Sequence, residues 1–203
     1  PKCSHEPCSD RFMKITTSRG ISLEVEEHGS PQGEPLLLVM GLGMQLLGWH
    51  EDFVQQLVAR GFRVIRFDNR DIGLSQPFDH LGVPNVAWAS LRHALGLPMQ
   101  SHYTLADMAD DAAQLLDVLG IARAHVCGAS MGGMIAQHLA VRHPRRVKSL
   151  TLMMTTSGAR HLPGPAARVR RALLSRPPAG AGVPGIVAHA MDFYALIEGP
   201  SYR

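Results

Sequence analysis

Five consecutive apolar residues, Leu36–Met40 (LLLVM), constrain this chain more than any other feature. A strand that alternates apolar and polar residues buries one face; a continuous apolar run has two faces to bury and belongs in the middle of a sheet with helices on both sides. Arg63–Asp68 (RVIRFD), Ala124–Cys127 and Val147–Met153 (VKSLTLM) read as further strands. Amphipathic stretches lie between them. Trp49–Arg60 sets Phe53 and Leu57, with Val54 and Val58, at helical spacing, and Gly61 suits the end of that helix. Thr104 with Asp107 three residues on has the form of a capping box; Leu105, Met108, Ala112, Leu115, Leu116 and Leu119 then make an apolar stripe, stopped by Gly120. Met131–Val141 is a third helix. Phe12–Thr17 and Ile21–Glu27 alternate instead, around Ser18-Arg19-Gly20, and predict a solvated antiparallel hairpin. Strands alternating with helices predict an α/β protein.

A chain of 203 residues, 45% hydrophobic and 18% charged, suits one domain with a substantial core. No membrane span is expected, because the most apolar stretch, Pro35–Trp49, is too short and is interrupted by Gly and Gln. The net charge of +3 hides an asymmetry, −5 over residues 1–141 and +8 over residues 142–203. The C-terminal arginines are scattered among Pro, Gly and Ala without interleaved aromatics, so a solvated basic surface is expected rather than a nucleic-acid partner. The first twenty residues lack an apolar run of signal-peptide length, and the odd set Cys3, Cys8 and Cys127 fits a reducing, cytoplasmic setting. Cys3, His5 and Cys8 offer three ligands where a closed zinc site needs four, so no metal is expected.

Chemistry concentrates between the strand Ala124–Cys127 and the helix that follows, at Gly128-Ala129-Ser130-Met131-Gly132-Gly133. A sharp strand-to-helix turn lifts a serine hydroxyl clear of the sheet in a strained conformation, and only small neighbours, here Gly128 and Gly132, let strand and helix pass so closely. The same turn aims the Met131 N–H and the positive helix end at one point. There a well-placed donor stabilises a developing oxyanion by about 3–4 kcal/mol. A packing turn with an incidental serine is the alternative; the strand before and the helix after weigh against it. A second donor must come from a loop such as Met40-Gly41-Leu42-Gly43. That loop is not a dinucleotide fingerprint, because Leu46 stands where the third glycine belongs.

With these pieces the chain resembles the α/β-hydrolase family, and within it esterase-type members in which LLLVMGLGMQ, RFDNRDIGLS and GASMGGMIAQ follow in that order. The resemblance covers about residues 10–157. It implies an α/β-hydrolase fold, a mostly parallel sheet with helices on both faces. It divides the chain into an N-terminal tail (1–10), the N-terminal part of the core (11–157) and the start of a helical cap (158–203), truncated before the last strands. It implies a carboxylesterase-like serine hydrolase acting on a small-molecule ester, with no cofactor. Ser130 is then the nucleophile, and the oxyanion donors are Leu42 and Met131. Gly41, Gly128 and Gly132 shape the site. Met40 replaces the family's His before Gly41, which leaves the backbone donor in place. Asp68–Ser75 corresponds to the family's D-x-R-G-x-G-x-S turn with Asp71 at the first glycine. Asp68 is expected to accept turn N–H bonds and Arg70 to brace neighbouring loops; Asp68 as catalytic acid is the alternative. Met44, Trp49 and Trp88 are candidates to line an apolar pocket.

A serine needs a base, itself oriented by an acid. In the family these come from loops after two further strands, which this sequence does not contain, so no histidine is carried over from the resemblance. After Ser130 the histidines are His138, His143, His161 and His189, and the acids are Asp192 and Glu198; His189 with Asp192 is a possible local substitute. The chain alone is therefore expected to be inactive or very weak, and the edge of Val147–Met153 to invite self-association. A non-catalytic binding or inert truncated member of the fold, and a cofactor-free oxygenase or haloperoxidase on the same pocket, stay open as alternatives.

Overall fold

The computed structural model describes residues 11–82, 88, 92, 95, 97, 101–159, 161–173, 175–178 and 180–197. The N-terminal tail, with Cys3, His5 and Cys8, lies outside the described residues. The chain forms two compact units, Pro1–Gly158 and Ala159–Arg203.

The first unit is built on six strands: β1 (Arg11–Thr16), β2 (Ser22–His28), β3 (Glu34–Val39), β4 (Phe62–Phe67), β5 (Ala124–Ala129) and β6 (Val147–Met153). Their order in the sheet is β1-β2-β4-β3-β5-β6. β1 pairs antiparallel with β2, and β2 with β4; β4, β3, β5 and β6 run parallel. The parallel connections carry helices α1 (Glu51–Val58), α2 (Leu105–Val118) and α3 (Met131–Arg142).

Strand periodicity sends neighbouring residues to opposite faces. Leu37, Val39, Ile65, Phe67 and Val126 pack against α2 and α3, through Met108, Leu115, Leu116, Ile135 and Leu139. Leu36, Leu38, Val64, Cys127 and Ala129 face Trp49 and the α1 residue Val54. Each large side chain buried this way contributes about 1.5–3 kcal/mol. The continuous apolar run of β3 thus serves two cores, one on each side.

Local signals are satisfied as well. The Thr104 hydroxyl accepts from the Asp107 N–H while the Asp107 carboxylate accepts from the Thr104 N–H, a reciprocal capping box. α1 starts later than the pattern suggests: a single 3-10 turn spans Leu46–Gly48, and His50 caps the helix by accepting from the Asp52 N–H.

In the hairpin β1–β2 the outer strand β1 keeps the solvated face its alternation predicts, with Phe12, Lys14 and Thr16 exposed, but β2 does not. Because β2 lies between β1 and β4, its apolar residues Leu23 and Val25 enter the first core, and Glu26 and His28 are buried on the other face. The polar half of the alternation meets an ionic partner instead of water. Arg66 of β4 donates to Glu26, to the Trp49 carbonyl and to Glu51, and His28 Nε2 stands 3.3 Å from Glu26. At the other end of the sheet β6 is the outer strand, with Leu150, Leu152 and Met153 partly exposed.

The second unit contains helices α4 (Ala167–Leu173) and α5 (Gly182–Ile197), the latter with Val183, Ile186, Val187, Met191 and Tyr194 exposed. Among the described residues no helix is long and apolar enough to cross a membrane.

Candidate active site

Ser130 sits between the end of β5 and the first residue of α3, with φ 53° and ψ −120°. A non-glycine residue in such a conformation stores about 1–3 kcal/mol of strain and persists only where its surroundings enforce it. Four hydrogen bonds do so. The Ser130 N–H donates to the Met153 carbonyl (2.9 Å); its own carbonyl accepts from the N–H groups of Gly133 (3.0 Å) and Met134 (3.3 Å) and from the Thr155 hydroxyl (2.7 Å). The neighbouring glycines are required by contact. A Cβ on Gly132 would lie 2.1 Å from the Val39 carbonyl oxygen, and one on Gly128 2.4 Å from that of Gly132. Gln137 ties the first turn of α3 to the chain leaving β6, donating to the carbonyls of Gly133 (3.2 Å) and Thr156 (3.1 Å).

The Ser130 side chain is left exposed at the tip of the turn, and among the described residues it makes no side-chain hydrogen bond. Gly41 stands against it. A Cβ built there falls 3.2 Å from the Ser130 Cβ and 3.7 Å from its Oγ. Residues 41–44 form a turn closed by the Met44 N–H on the Gly41 carbonyl, with Gly43 at φ 69°, so the Leu42 N–H takes no part in the closing bond. The Met131 N–H belongs to the first turn of α3, where backbone donors have no intrahelical acceptor. Asn69 anchors the loop from below by donating its side-chain amide to the Met40 carbonyl (3.0 Å).

Asp68 is buried, and both its carboxylate oxygens are occupied: Oδ1 accepts from the Leu46 N–H (2.6 Å) and Oδ2 from the Leu74 N–H (3.0 Å). It therefore joins the turn after the Gly41 loop to the turn after β4, and no histidine hydrogen-bonds it among the described residues. Arg70 forms a two-pronged pair with Asp111 of α2, both bonds 2.6 Å, and its guanidinium lies over the rings of Phe78 and Tyr103. Burial pushes the Asp111 carboxyl up, opposed by Arg70. Asp71 adopts φ 67°, the left-handed conformation that a glycine takes easily. Its carboxylate holds the turn by accepting from the Phe78 N–H and the Tyr103 hydroxyl, both at 2.9 Å. Burial, then this bond, raises the Tyr103 phenol to about 12.

The three pocket candidates are placed differently. Trp49 is buried, stacked on Phe53 with ring centroids 5.7 Å apart, and belongs to the core beneath α1. Met44 is half-buried against that same cluster, and Trp88 is exposed. Of the histidines, His138 is exposed on α3 and His161 is exposed in the second unit. His143 bonds to Asp110 (2.7 Å), and His189 pairs with the Ser175 hydroxyl (3.3 Å) rather than with Asp192. Asp110 also takes both prongs of Arg142, so the two residues latch the far end of α3 to α2. Arg142 first, then His143 and Arg19, hold its carboxyl far below the usual carboxylate range. Nothing local in the sequence marks the partners of Thr155, Gln137, Asn69, Asp110 and Asp111.

Residues 34–180 match the family model described as alpha/beta hydrolase fold. Rhodomycin D methylesterase DauP of Streptomyces sp. (strain C5) is 31% identical over 188 residues, which are 93% of this chain and 56% of that protein. Rhodomycin D methylesterase DnrP of Streptomyces peucetius is 34% identical over 141 residues, 70% of this chain and 41% of that protein. Among solved structures, a hydrolase from Pseudomonas aeruginosa PA01 superposes with a TM-score of 0.62 at 28% identity, over 94% of this chain and 60% of the other. The chain thus spans about half the length of the curated relatives it matches.

Proposed function

This chain belongs to the α/β-hydrolase family, and on that premise we propose that Ser130 is the nucleophile of a serine hydrolase that cleaves small carboxylic esters. The carrying observation is the strained serine at the tip of a strand-to-helix turn, with a glycine loop packed against its Cβ. Two methylesterases among its relatives support the ester as the substrate class. In this reading Ser130 Oγ attacks the ester carbonyl carbon. The carbonyl oxygen gains charge and is held by the Leu42 and Met131 N–H groups at the positive end of α3, each donor worth about 3 kcal/mol. Gly41 lets the loop approach, and Asp68, Arg70 and Asn69 hold the loops that carry these donors.

The attack also requires a base within hydrogen-bond reach of Oγ. Among the described residues none occupies that place, and the second reading is a non-catalytic member of the fold that binds the ester without cleaving it. One experiment separates the two. The chain is joined to the portion of DauP that it does not span, and the chimera is treated with a fluorophosphonate probe and with simple alkyl esters. Ester turnover and labelling at Ser130, both lost in Ser130→Ala, are expected. A folded chimera that binds esters but is neither labelled nor active would establish the second reading, and labelling that survives Ser130→Ala would remove Ser130 from the chemistry.

A further inference from the structure

At the opposite end of the same parallel strands another serine has a histidine within hydrogen-bond reach, which Ser130 does not have among the described residues. The register of β5 and β6 places His125 directly across from Ser149, and the pairing of β3 with β5 sets Leu36 opposite His125, with Glu34 two residues earlier on β3. The Ser149 hydroxyl lies 2.6 Å from His125 Nδ1, and His125 Nε2 lies 3.2 Å from Glu34 Oε1. Lys148 bonds to that same Glu34 oxygen. Phe62 lies beside the imidazole with the two rings nearly perpendicular, centroids 6.0 Å apart.

The proton positions follow from the groups present. An ionised carboxylate only accepts, so the neutral imidazole carries its hydrogen on Nε2 and offers the Nδ1 lone pair to the Ser149 O–H. The Lys148 ammonium, then His125, holds the Glu34 carboxyl below its usual range, which keeps it an anion able to stabilise an imidazolium. The His125 side chain is 32% exposed and Ser149 is exposed, so a small molecule reaches the hydroxyl directly.

We propose that Ser149, His125 and Glu34 form a second reactive-serine site, which takes acyl groups from small activated carboxylic esters. Ser149 Oγ bonds to the ester carbonyl carbon while its proton passes to His125 Nδ1. The carbon–oxygen bond to the leaving group breaks, and the leaving oxygen receives that proton from His125. The products are an acyl-serine and a free alcohol or phenol, and attack by water through the same histidine returns the serine and releases the acid. The glycine loop and helix end that face Ser130 lie at the other end of the strands. Ser149 therefore depends on a weakly basic leaving group, and aryl esters fit where alkyl esters do not.

The test uses the 203-residue chain, p-nitrophenyl acetate, and peptide mapping by mass spectrometry with time. Ser149 is expected to acquire a hydroxylamine-labile acetyl group at least ten times faster than the exposed serines Ser18 and Ser157, a comparison that needs no variant. His125→Gln is expected to slow that step about 100-fold, the usual contribution of a positioned general base. Equal rates at the three serines overturn the proposal, as does a hydroxylamine-resistant adduct on Lys148 in place of Ser149, or a rate at Ser149 that a folded His125→Gln protein keeps. Ser130 lies in a different peptide, so its labelling is scored separately and neither result decides the other.

Discussion

Ser130 and Ser149 lie at opposite ends of one pair of parallel strands and are equipped in opposite ways. Ser130 has the backbone: a strained turn, a helix end and a glycine loop packed against it. Ser149 has side chains: a histidine across the strand pair and a carboxylate behind it. The contrast follows from what each strand end offers. At the carboxyl ends the chain must turn into helices, and turning exposes N–H groups; at the amino ends the registered strands set side chains beside one another. An efficient serine hydrolase needs both sets around one hydroxyl.

The largest expected effect comes from Gly132→Ala, whose Cβ would sit 2.1 Å from the Val39 carbonyl. Overpacking of this kind is expected to cost about 3 kcal/mol in urea unfolding and to end fluorophosphonate labelling at Ser130 in the chimera. Labelling at Ser149 should continue in whatever fraction stays folded. A variant with parental stability would mean that helix and strand do not press together there.

Next, His125→Gln should lower acetylation of Ser149 about 100-fold and leave Ser130 untouched, as mapped in one digest. Loss at both serines would make His125 a support for the whole sheet and erase the contrast. Thr155→Val removes the hydroxyl that bonds the Ser130 carbonyl. About 1 kcal/mol should appear as a several-fold slower reaction at Ser130, restored by Thr155→Ser, with no change at Ser149.

The smallest effect concerns the latch behind α3. Asp110 is depressed in the folded state by Arg142 and His143. Its contribution is therefore complete above the unfolded carboxyl value near 4 and is lost as the pH falls through the folded one. Urea unfolding from pH 7 to pH 3 should show an acid loss on the order of 1 kcal/mol in the parent that Asp110→Asn lacks. Identical acid slopes would show that the latch does not stabilise the helix carrying Ser130.

How far the chain could be read beforehand depended on the range of the interaction. Val147–Met153 forms a strand over the very residues its pattern marks, and Thr104 caps α2 through Asp107, because strand periodicity and capping are local. Glu26 and His28 look solvated in an alternating sequence and are buried, since β2 is an interior strand only once β4 pairs with it. Trp49, a candidate pocket residue by type, is committed to the core by α1 packing across the sheet. Asp71 illustrates the middle ground. The sequence shows a glycine position of the family turn filled by aspartate, and the structure shows the left-handed backbone that makes glycine favourable there.

By itself, then, the sequence determined the α/β architecture and the strand-to-helix corner at Ser130, because both are written in apolar runs and glycines within a few residues of one another. The tertiary structure alone decided what surrounds each hydroxyl. Glu34, His125 and Ser149 stand far apart in the chain and meet through strand register, and the Ser130 corner keeps its strain only because β3, β6 and Thr155 close around it.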